Sequence, residues 1–187
     1  MLSPPEPLNF ARHLFDANRG RAARIAYVDD RGSLTYGELD ERARRFATAL
    51  AKLGVRREER VLLLMHDVVE WPIAFLGALY AGVVPVAVNT LLTADDYAYM
   101  LANSRAQAAI VSAALAPTLA HALGRSDHEV QHTIVAGDGA GNALPGAIAF
   151  ASLLGTYAAM AAAAPTRGDD PAFWLYSSGS TGKPKGT

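Results

Sequence analysis

Short, mainly apolar strand-like runs recur at residues 61–65, 83–88, 107–112 and 133–136, and helical stretches separate them. This alternation limits the folds open to the chain more than any other feature. A strand whose residues are all apolar must be covered on both faces, and strands joined through helices pair in parallel. The spacing predicts helices over 72–81, 93–102, 117–123 and 150–163. Pro72 falls in a first turn, where its missing N–H costs nothing. Asp95 and Asp96 suit the positive end of a helix dipole, and the Ala-rich helix over 150–163 ends before Pro165. Ahead of these lies a short helix over 10–18, then a hairpin of 24–28 and 33–35 around Asp29-Asp-Arg-Gly32. Thr35 and Glu38 form a capping box that opens the next helix. Leu39, Ala43, Phe46, Leu50 and Leu53 recur there at three- and four-residue spacing, and Gly54 closes it. Glu41, Arg42, Arg44 and Arg45 read as its solvated face. The expected fold is α/β, a mostly parallel sheet with helices on both faces. There is no internal repeat beyond the alternation and no clear domain boundary.

Composition excludes several classes of function. With 51% hydrophobic and 19% charged residues over 187 positions, the chain can bury a core. Seventeen basic residues nearly cancel eighteen acidic ones, which argues against nucleic acid or an anionic membrane as partner. The absence of cysteine removes disulfides, thiolate nucleophiles and Cys-based metal sites, and it fits a cytoplasmic setting. No basic and apolar leader opens the sequence. Residues 71–88 carry no charge, close to a membrane span in length, but Gly82 and Pro85 interrupt them and the second half is β-branched. A buried helix running into a buried strand accounts for this stretch.

The chemistry sits at residues 176–187, Tyr-Ser-Ser-Gly-Ser-Thr-Gly-Lys-Pro-Lys-Gly-Thr. Phe173, Trp174, Leu175 and Tyr176 form a strand, expected to be buried, and the loop leaves from its carboxyl end, where ligands sit in open α/β sheets. Gly179 and Gly182 can adopt positive φ and bring backbone N–H groups close to an anion. Ser177, Ser178, Ser180 and Thr181 add hydroxyl donors. Pro184 fixes its own φ, and in an extended stretch Lys183 and Lys185 would point the same way. A lysine about 4 Å from a phosphate charge contributes up to about 4 kcal/mol before desolvation. The spacing is not that of a Walker A loop, because only two residues separate the glycines and Pro184 stands where the magnesium-binding hydroxyl would be. The candidate phosphate-binding residues are therefore Ser177, Ser178, Gly179, Ser180, Thr181, Gly182, Lys183 and Lys185.

This loop resembles the signature of the adenylate-forming superfamily, which includes acyl-CoA synthetases, luciferases and peptide-synthetase adenylation domains. Ser177 stands where threonine is common, Lys183 at the variable position and Lys185 at the expected lysine. Leu34-Thr-Tyr-Gly-Glu-Leu39, Leu53-Gly-Val, Arg60-Val-Leu and Ala78-Leu-Tyr-Ala-Gly-Val-Val-Pro-Val86 resemble the family's opening segments in order. The resemblance runs from about Asn9 to Thr187, and residues 75–97 are most similar to benzoate-CoA ligases. It implies a two-step ligase. A carboxylate, benzoate or a related aromatic acid, attacks the α-phosphate of Mg2+-bound ATP to give an acyl-adenylate and pyrophosphate, and the coenzyme A thiolate then displaces AMP to form the thioester. The loop would hold the β- and γ-phosphates by positioning and charge. The resemblance also implies that residues 1–187 form an incomplete N-terminal adenylation domain. The catalytic residues are then expected beyond Thr187, a C-terminal lid domain is missing, and the remainder of the chain is needed for activity. A non-catalytic nucleotide- or anion-binding fragment is the alternative.

A second motif points elsewhere. His128-Glu-Val-Gln-His132 matches the zinc-protease pattern, in which two imidazoles lie one helical turn apart. Val130, Thr133, Ile134 and Val135 favour a strand, and no later His or Glu completes a ligand set, so the stretch is expected to be an exposed segment entering a strand.

Overall fold

The computed structural model describes residues 6–137, 144–177 and 182–187. Its strands are β1 (Ile25–Asp29), β2 (Gly32–Thr35), β3 (Arg60–Leu64), β4 (Val84–Ala87), β5 (Ala108–Ser112), β6 (His132–Ala136), β7 (Ile148–Ala149), β8 (Trp174–Ser177) and β9 (Lys185–Gly186). Its helices are α1 (Phe10–Asn18), α2 (Tyr36–Lys52), α3 (Glu70–Tyr80), α4 (Ala94–Ser104), α5 (Ala116–Leu123) and α6 (Phe150–Thr156). β1 and β2 form a separate antiparallel hairpin. The other strands make one sheet in the order β7-β6-β5-β3-β4-β8-β9. Its pairings are parallel as far as β8, and β9 joins antiparallel at the edge.

Strand alternation divides the core in two. Val61, Leu63, Ala108, Ile110 and Ile134 enter a cluster with side chains of α1, α2, α3 and α6. Leu62, Leu64, Ala109, Val111 and Val135 enter another with α4 and α5. Both sets are buried, which is why these strands read as continuous apolar runs. Each fully buried aliphatic side chain contributes about 1.5–3 kcal/mol of transfer free energy, so the central strands carry much of the stability. The expected capping box is present: Thr35 Oγ1 accepts from the Glu38 N–H, and the Glu38 carboxylate accepts from the Thr35 N–H at 2.9 Å. The Thr35 N–H, and then the Thr35 hydroxyl, donate to the Glu38 carboxyl and hold it below its ordinary value. The uncharged stretch 71–88 divides into α3 and β4, and no helix among the described residues is long and apolar enough to cross a membrane.

Three expectations need correction. The Ala-rich helix stops at Thr156, well short of residue 163. Beyond it the backbone is bound to other elements: the Met160 N–H donates to the Arg44 carbonyl, Thr48 Oγ1 to the Ala158 carbonyl, and the Ala164 N–H to the Tyr80 carbonyl. Long-range partners outcompete alanine's helix preference here. The same contacts revise the charged face of α2. Glu41 and Arg42 are exposed, but Arg44 donates to the Met160 carbonyl and Arg45 to the Leu154 carbonyl, so two of the four charges tie α2 to α6 and the segment after it. Finally, β8 is not buried. Trp174 and Tyr176 are half-buried towards α4, whereas Phe173 and Leu175, on alternate positions, are 45% and 50% exposed. On that second side the Phe173 ring meets Phe75 of α3, with centroids 5.6 Å apart, and Leu175 stays half exposed.

Candidate phosphate-binding site

β4 and β8 run side by side in parallel, with Val86 opposite Trp174 and Ala87 opposite Leu175. The carboxyl end of β8 therefore lies on the same rim of the sheet as the ends of β3, β4, β5 and β6. Ser177 closes β8 on that rim and is exposed. The chain returns as β9, pairing Tyr176 with Gly186 and Ser177 with Lys185. Leu175 and Thr187 exchange N–H···O bonds of 2.9 and 2.8 Å, which close the ladder. A Cβ at Gly186 would lie 3.3 Å from the Trp174 ring and 3.5 Å from the Tyr176 ring, so a larger residue would ask the Trp174 ring to shift slightly. Gly182 has φ of +85° with open space around the position of a Cβ, the left-handed backbone expected of it.

The two lysines are placed differently. Lys183 lies outside β9, and its Nζ sits over the ring of Tyr99 on α4, 5.1 Å from the centroid. Lys185 opens β9 opposite Ser177 and is exposed. Among the described residues neither lysine takes part in an ion pair. Four of the sequence-predicted residues, Ser178, Gly179, Ser180 and Thr181, lie outside the described residues.

The strand below the loop is anchored by contacts that a motif search does not reveal. Tyr176 Oη donates to Asn103 Oδ1 at 2.8 Å, and burial, with the neighbouring Tyr99, pushes its pKa up to about 12. It therefore stays a neutral donor throughout the physiological range. Arg60 lies over the Trp174 ring, 5.9 Å from its centroid. α4 itself is fixed at its start by a second capping box, Thr93 with Asp96. The Thr-x-x-Asp spacing could have disclosed it, although the sequence reading credited the aspartates only with a dipole effect. Tyr97, fully buried, accepts from the Leu92 N–H and donates to the Asn89 carbonyl at 2.7 Å, which locks the turn between β4 and α4.

This arrangement can grip an anion: the Ser177 hydroxyl and a lysine without an ion-pair partner among the described residues lie opposite each other at one strand end, with a left-handed glycine three residues before that lysine. A protein-held metal is a different matter. No three His, Asp or Glu side chains converge among the described residues.

The zinc-protease pattern lies at the opposite, amino end of β6. His132 begins that strand, with Nε2 2.9 Å from the Leu53 carbonyl oxygen. His128 Nδ1 accepts from the Val130 N–H, and Glu129 pairs with Arg105 and accepts from Gln107. The segment is not helical, so its two imidazoles do not stack one turn apart and the protease alternative falls.

A family model described as AMP-binding enzyme matches residues 14–187. The chain is 48% identical over 186 residues to a benzoate–CoA ligase of Thauera aromatica, covering 98% of this chain and 34% of that protein. It resembles a solved benzoate CoA ligase from Burkholderia xenovorans LB400 with 53% identity and a TM-score of 0.85, over 96% of this chain and 34% of the other. An anthranilate CoA ligase solved with anthranoyl-AMP gives 31% identity and a TM-score of 0.90, over 98% and 35%. The chain thus spans about a third of the length of the relatives it matches.

Proposed function

The chain belongs to the AMP-binding enzyme family, and we propose that it forms the N-terminal part of an ATP-dependent carboxylate–CoA ligase for benzoate or a related aromatic acid. Residues 1–187 would be an incomplete adenylation domain with its phosphate loop at 176–187, working in the cytoplasm with the remainder of its polypeptide. The observation that carries this reading is the exposed Ser177–Lys185 pair at the carboxyl end of β8, within a chain so similar to benzoate–CoA ligases. In this reading Ser177, Ser178, Gly179, Ser180, Thr181, Gly182 and Lys185 hold the outer phosphates of ATP and leave the α-phosphorus open to a carboxylate in line. Their role is positioning and neutralising charge, without proton transfer. Magnesium would arrive on the nucleotide phosphates, since ATP-using sites commonly supply only one or two carboxylates of their own. Coenzyme A would supply the thiol of the second step.

Benzoate-dependent exchange of pyrophosphate into ATP tests the assignment. The protein carrying the rest of the family's length should catalyse it, and Lys185→Ala should reduce the rate by at least about tenfold, as removal of one charge-stabilising donor typically does. Residues 1–187 alone should bind ATP weakly and exchange nothing. Exchange by the short chain would overturn the placement of the catalytic residues beyond Thr187. A long form inert towards every aromatic acid would overturn the substrate class.

A further inference from the structure

Two side chains one turn apart on α4 hold the phosphate loop from both ends. Asn103 accepts from the Tyr176 hydroxyl at the entry to the loop, 2.8 Å away. Tyr99 lies under the Lys183 ammonium at its exit. Positions 99 and 103 are four residues apart and share a face of the helix. That face belongs to a helix fixed by its own capping box and by buried Tyr97, so it is a rigid support for a loop that would otherwise bear the entropy of its own ordering.

We propose that this face of α4 is a clamp for the phosphate loop, with Tyr99 and Asn103 as positioning residues. Lys183 is the anchor that joins loop to clamp, and Lys185 is the lysine left free for phosphate. The assignment rests on the phosphate-binding reading of the loop. It gives a structural reason for the difference between two lysines of identical donor chemistry. A cation over an aromatic ring keeps its charge but gives up approach on that side, so Lys183 acts by shape and Lys185 by charge.

Trypsin cleavage followed by intact mass reads the clamp without any nucleotide. Proline after Lys183 protects that bond, so the informative cut is Lys185–Gly186, recorded as loss of the last two residues. That bond lies in β9 and opens only when β9 lifts away from β8. With fast reclosing, the cleavage rate follows the population of the open form. Tyr99→Ala and Lys183→Met should each speed the cut by about two- to fivefold, the range expected for one exposed cation–π contact. The double variant should be no faster than either single one. Tyr99→Phe and Lys183→Arg, which keep ring and cation, should cleave at the parent rate. Unchanged rates in the single variants, or multiplied effects in the double, overturn the clamp. Lys183 is exposed, so Lys183→Met carries the test even if Tyr99→Ala disturbs α4. Titration with inorganic tripolyphosphate then distinguishes the lysines: Lys185→Ala should abolish binding, and Lys183→Met should weaken it only by the factor seen with trypsin. Equal losses would place Lys183 on phosphate and refute its role as anchor. If the parent chain binds neither tripolyphosphate nor ATP, the phosphate reading fails, and the trypsin series still decides whether α4 holds the loop.

Discussion

Asn9 uses one amide in two directions. Its Oδ1 accepts from the Arg12 N–H at 3.1 Å and caps α1, while its Nδ2 donates to the Leu79 carbonyl at 2.8 Å near the end of α3. The Tyr80 and Ala164 carbonyls lie within 3.4 Å of the same nitrogen, and the residue is 7% exposed. Asn9→Ala removes a cap worth about 1 kcal/mol and leaves buried carbonyls short of a donor, at about 1–3 kcal/mol more. Urea unfolding should show a loss of about 2–4 kcal/mol with an unchanged m-value. Asn9→Asp should not rescue it, because a carboxylate would face the same carbonyls; a stable aspartate variant would refute this account. Such a residue cannot be read from sequence, since its partners lie 70 to 155 positions away. Thr35 and Glu38 were legible because a capping box is complete within four residues. The loop motif was legible as a pattern of donors, but the different placements of Lys183 and Lys185 were not, because α4 decides them.

Between elements, Gly77 sets how closely α2 and α3 approach. A Cβ at this position would lie 2.6 Å from the Ala43 carbonyl oxygen and 3.0 Å from the Phe46 ring. Two effects oppose each other in Gly77→Ala. Alanine favours a helix over glycine by about 1 kcal/mol, whereas forcing a methyl against backbone in a packed interface costs about 1–3 kcal/mol. The obstacle is main chain of a neighbouring helix and cannot rotate away, so packing should prevail and thermal melting should show a lowered Tm. A raised Tm would mean that the helices separate freely. Element positions were the most legible part of the chain, because periodicity and burial agree in β3, β4 and β5 and in α2. The helix after residue 150 was misjudged for the opposite reason. Alanine-rich composition favours helix locally, and the carbonyls and N–H groups of α2 and α3 that claim residues 158–164 come from elsewhere in the chain.

Across the whole molecule, near-zero net charge coincides with exposed apolar side chains. The formal charge is −1 at pH 7, with an isoelectric point near 6.5. Leu175 on β8, Phe173 just before it, and Ile25 and Val28 on the hairpin, are 45% to 72% exposed. With little net charge to keep copies apart, apolar contact between them is opposed only by association entropy. Self-association of residues 1–187 should therefore be strongest near pH 6.5 and weaken at pH 8.5, where deprotonation leaves the chain more negative. Added salt at pH 8.5 should restore part of it by screening. Leu175→Thr alters the patch without altering charge, keeps a strand-favouring residue at an exposed site, and should change stability by less than about 0.5 kcal/mol. Sedimentation velocity across this pH range distinguishes the two contributions. Association that ignores pH would show that charge does not govern it. Association unchanged in Leu175→Thr would show that the exposed side of β8 is not where copies meet, and would turn attention to Ile25 and Val28 of the hairpin.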